Sequence, residues 1–152
     1  MQKKLIAIVI AAIWILPVFA QTAEPPDLNV AAQIGVLVTK IGLPVDSARN
    51  DITAFGRFSQ IRETGAFTFF QSKDQKVIFG LKKDDAGNIQ MIICDMPDIM
   101  LSTAKKAISY MEMSLSDAKG PPGYIAYGTS KYTAFLNPEQ REGYLELILA
   151  PR

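Results

Sequence analysis

Six residues in the middle of the chain carry its softest donors. Apart from the initiator, every methionine (Met91, Met96, Met100, Met111 and Met113) falls between residues 91 and 113, and the single cysteine, Cys94, falls there too. Thiolate and thioether select Cu(I) over harder divalent ions, so Cys94, Met96 and Met100 form a candidate three-coordinate copper site where a strand end meets a helix start. Met111 and Met113 stand about 200° apart on a helix and do not ligate together. The competing reading is packing: Cys94 as a small buried hydrophobe and the methionines as flexible core filler or as an adaptable partner surface.

Histidine is absent. That removes the His-dependent catalytic triad, the His-ligated zinc site and the imidazole pH switch. A thiol nucleophile at Cys94 has no positive charge close by in sequence to activate it. The carboxylate pairs Asp95/Asp98 and Glu139/Glu142 lack the apolar flanks that would drive two pKa values apart, and Asp95 and Asp98 read as helix caps. Residues 84–88 hold acids without the alternating spacing of a calcium loop, so they read as a hairpin turn. The chain is therefore expected to be non-enzymatic.

The remaining chemistry is recognition. Gly120-Pro121-Pro122-Gly123 leads into Tyr124, Tyr127 and Tyr132, with Tyr144 further on, and a proline–tyrosine surface suits an extended peptide. Strand addition is a second route if the strand at 144–150 lies at a sheet edge.

These residues must be positioned by elements legible in the pattern. Lys3 and Lys4 precede an apolar run from Leu5 to Leu16, then Pro17 and the small-residue site ending at Ala20, the pattern of a secretory signal peptide cleaved near Ala20. The run is shorter than the roughly 20 residues that span a bilayer, so membrane contact is expected only through the transient signal segment. The 152 residues include 16 Lys plus Arg and 15 Asp plus Glu; losing the two lysines of residues 1–20 leaves 14 basic against 15 acidic, a net charge of −1. Such a surface makes no electrostatic case for nucleic acid. One cysteine allows no internal disulfide, so stability rests on a core drawn from the 49% apolar residues.

Residues 21–27 read as a tether and 28–152 as a single α+β domain. A first helix is expected over about 30–41, capped by Asn29, and a short second one after Asp46 with Ala48, Ile52 and Phe55 on one face. Strands follow at 57–62 and 66–71, then a hairpin of 76–82 and 88–94. Leu101, Ala104, Ile108, Met111, Leu115 and Ala118 step by three and four, which predicts one long helix over about 98–118, ended by Gly120. Strands at 124–127, 131–136 and 144–150 close the chain.

The fold expected is an antiparallel sheet of about five to six strands, with the long helix and one or two N-terminal helices packed on it. The function expected is that of a periplasmic or secreted binding or accessory protein, chaperone-like or part of an envelope assembly, whose partner is another envelope or secreted protein. A homodimer is a further option, and Cu(I) binding is the alternative.

Overall fold

The computed structural model describes residues 25–54 and 56–152; the segment expected to be a signal peptide, the start of the expected tether and Phe55 lie outside the described residues. It is a mixed α+β fold, with one antiparallel sheet of eight strands and three α-helices.

Helix α1 (Leu28–Val38) forms despite its β-branched residues, because Val30, Ala31, Ile34, Leu37 and Val38 recur at three- and four-residue steps and all are buried. Its cap is Asp27, not Asn29. The Asp27 carboxylate accepts from the Asn29 and Val30 amides at 3.0 and 3.1 Å and from Arg57 at 2.8 Å. Helix α2 (Val45–Thr53) starts after Pro44 and buries Val45, Ala48 and Ile52. Gln33 on α1 donates to the Ile52 carbonyl at 3.1 Å, and Thr103 on the third helix accepts from the Asp27 amide at 2.9 Å. These bonds join the helices into one layer.

Strands β1 (Phe58–Glu63), β2 (Phe67–Ser72), β3 (Ile78–Lys83) and β4 (Ile89–Pro97) form a meander of consecutive antiparallel pairs. A single 3-10 turn, Asp98–Met100, leads into α3 (Leu101–Tyr110). A second meander follows: β5 (Ser114–Leu115), β6 (Ile125–Gly128), β7 (Tyr132–Arg141) and β8 (Tyr144–Pro151). The two meanders join where β8 pairs with β4, giving the order β1-β2-β3-β4-β8-β7-β6-β5.

Three expectations need correction. The sheet has eight strands where about five to six were expected. The long helix over 98–118 is in fact ten residues, because the chain turns at Glu112, whose φ is +54°, and β5 leaves the helix axis to pair with β6. Leu115, expected on the buried stripe, is 76% exposed, while Met113 is buried in its stead. The route of strand addition at 144–150, which required an edge position, falls away because β8 lies in the middle of the sheet, between β4 and β7.

The true edges resist strand addition: β5 is two residues long, and β1 is irregular between Gln60 and Arg62 and carries Arg62 and Glu63. Asp95, read as a cap, lies within β4, and no side chain caps the turn at Asp98.

The core lies between the helices and one face of the sheet. Phe70, Phe79, Leu81, Ile92, Met96, Leu136, Leu145 and Leu147 meet Ile34, Leu37 and Ile52 there, all fully buried. Phe58 stacks on Phe79 with centroids 4.7 Å apart. Among the described residues no helix is long and apolar enough to cross a membrane.

Candidate functional site

Alternation along each strand sends every second side chain to the face without helices. An antiparallel sheet with one face on water normally turns polar residues outward. This one does not. Register places Phe69, Gly80, Ile93, Ile148, Phe135 and Ala126 side by side across β2, β3, β4, β8, β7 and β6, so the middle row of the open face is apolar from β2 to β6, with Arg62 of β1 beyond Phe69.

A neighbouring row contains Phe67, Lys82 and Met91. Phe67 and Phe69 stack at 5.4 Å. Gly80 leaves room for an aromatic: a Cβ there would lie 3.1 Å from the Phe69 ring, so the ring rests over bare backbone on the next strand.

The row on the other side is polar. Asp95 on β4 and Glu146 on β8 are register partners, and Asn137 on β7 is the next. Like charges directly opposed are unfavourable, and each carboxylate is answered locally. Arg141 donates to Asp95 at 2.7 Å, and its guanidinium lies 4.0 Å from the centre of the Tyr144 ring. The Tyr124 hydroxyl donates to Glu146. Burial, followed by that bond and the Glu146 charge, pushes the Tyr124 phenol up to about 12. The second Asp95 oxygen is buried and has no hydrogen-bond partner among the described residues.

The Tyr124–Glu146 bond also holds down the loop that precedes it. The Gly120 backbone lies against the Phe135 ring so closely that a Cβ would come within 2.4 Å of it. The Gly120–Gly123 loop therefore covers the Phe135 end of the apolar row, while Phe67, Phe69, Ile93 and Ile148 are half-buried on the face that carries no helix of the described residues.

The four tyrosines expected to form one surface are divided by the sheet. Tyr124, bonded to Glu146, and Tyr144, under the Arg141 guanidinium, both stand by the polar row of the open face. Tyr127 and Tyr132 stand on the helix side, packed against the core. The soft donors share a layer: Cys94 and Met96 face the core from β4, and Met100 is buried at the foot of α3. Burial, with smaller contributions from the Glu146 and Asp95 charges, pushes the Cys94 thiol far above its ordinary value.

Phe67, Phe69, Phe135, Ile93 and Ile148 were not singled out by sequence reasoning. A signal was present, since Phe69-Phe70 and Met91-Ile92-Ile93 are apolar at consecutive strand positions, which one-sided burial does not require.

Comparison of the chain with protein-family models, with curated proteins and with solved structures returned no match in any of the three.

Proposed function

We propose that the protein is an exported, non-enzymatic accessory protein that works by protein–protein contact, and that the open face of its sheet is the contact surface. The observation that carries this reading is the apolar row from Phe69 to Ile148, over which no helix of the described residues lies, bounded on one side by the polar group of Asp95, Glu146, Arg141 and Tyr144. Large contiguous apolar patches with polar rims mark interaction sites on soluble domains. Phe69 stands at one end of the row with Phe67 stacked on it, and Arg141 lies over Tyr144, the residue types that dominate contact energies. Partners that fit are envelope or secreted proteins presenting an apolar segment, as a chaperone-like role or an envelope assembly would require.

Site-specific photo-crosslinking in the native envelope tests it. A crosslinker at position 148 is expected to trap one defined species, one at Val36 on the exposed side of α1 is expected not to, and Ile93→Lys is expected to abolish the product from position 148. Equal trapping from both positions, or persistence in Ile93→Lys, overturns the assignment of the face.

A further inference from the structure

We infer that a second copy of this chain occupies the open sheet face, docked face to face about a twofold axis that passes over Ile93. The inference rests on the open face being the contact surface proposed above, and it names the occupant.

Charge is distributed on this face as a self-complementary pattern. Arg62 and Lys82 lie toward the β1–β3 side, and Asp95 and Glu146 on β4 and β8. Lys82 is half-buried beside Met91 and has no ion pair among the described residues. Ile93 is register partner to both Gly80 and Ile148. Lys82 stands one strand to one side of Ile93 and one row up, and Glu146 one strand to the other side and one row down. Ile93 is thus the midpoint between them.

A twofold axis in the plane between two such faces, over Ile93 and perpendicular to the Lys82–Glu146 line, sets each Lys82 over Glu146 of the other copy. A C2 contact of this kind closes on itself and leaves no open chain of copies.

The arrangement also satisfies shape and area. With strands about 4.8 Å apart and rows about 6.7 Å apart, the axis makes the two sets of strands cross at about 70°, near the orthogonal class of sheet packing. The same rotation brings Ile148 over Met91 of the second copy, so apolar meets apolar around the paired charges. Five strands by about six residues make a flat footprint of roughly 500 Å² per copy, and two copies reach the roughly 1,000 Å² that specific association needs.

Sedimentation velocity on the mature chain, in a concentration series without reductant, reads the result. The wild type is expected to be a dimer that dissociates on dilution. Lys82→Glu and Glu146→Lys are each expected to weaken it about tenfold, and the double exchange to restore it. Ile93→Lys sets two lysines against each other on the axis and is expected to give a monomer with unchanged circular dichroism. This variant keeps the test decisive where Glu146→Lys also disturbs Tyr124.

A wild type that stays monomeric throughout, or a double exchange no tighter than the single variants, overturns the homodimer. Crosslinking separates this from the broader reading. A monomer still trapped at position 148 by a foreign polypeptide discards only the second copy; a dimer with no foreign product keeps the second copy and discards the foreign partner.

Discussion

Cys94 sits on the covered side of β4 between its register partners Phe79 and Leu147, fully buried. Alkylation of the native protein should therefore be slow at any neutral pH and should become fast on unfolding; rapid native alkylation would contradict the burial. The folded thiol is raised above its ordinary value of 9.0, so above that pH the unfolded chain loses a proton that the folded chain keeps. Stability then falls as pH rises, on the order of 1 kcal/mol per pH unit, and Cys94→Ala should remove that part of the alkaline slope. Tyr124 is read separately by ultraviolet titration: one phenol should ionise at about 12, and Tyr124→Phe should delete that late step. The sequence offered Cys94 as either core residue or ligand and could not choose, because burial is decided by which face of β4 turns toward the helices. It grouped the tyrosines by proximity along the chain, whereas the sheet separates them by parity.

Strand β8 shows at the level of one element how the two faces differ in work. Leu147 is fully buried between Cys94 and Leu136, and Ile148 beside it lies on the open face between Ile93 and Phe135. Leu147→Ala should cost about 2–5 kcal/mol by denaturant unfolding, while Ile148→Ala should cost less than about 1.5 kcal/mol and act mainly on association. Comparable losses at both positions would mean that the open face is a second core. The β3–β4 hairpin was legible because Asp84, whose carboxylate accepts from the Ala86 and Asn88 amides, and Gly87, with φ at +83°, have turn chemistry of their own. The C-terminal half of the expected long helix was not, because periodicity alone takes no account of the open edge of β6, whose Ala126 carbonyl accepts from the Ser116 amide. Nor does it register the left-handed turn at Glu112.

Among the described residues the fold is two four-stranded meanders meeting at β4 and β8, with the three helices on one side. The α+β class and the antiparallel order of hairpins were readable from alternation. The open face was not, because it is assembled by register between strands far apart in the chain: Ile93 meets Ile148 across 55 residues. An apolar face without cover is a liability for an isolated domain and an asset for one that works by contact, the role proposed for this chain. Methionine oxidation tests it most directly. Met91 lies on the open face beside Lys82, Met111 is half-buried against the core at the end of α3, and Met96 is fully buried. Under brief peroxide treatment of the dilute isolated protein, Met91 and Met111 should oxidise and Met96 should not. In intact cells Met91 should be protected several-fold relative to Met111; an unchanged Met91-to-Met111 ratio in the two settings would contradict the contact role proposed for the open face.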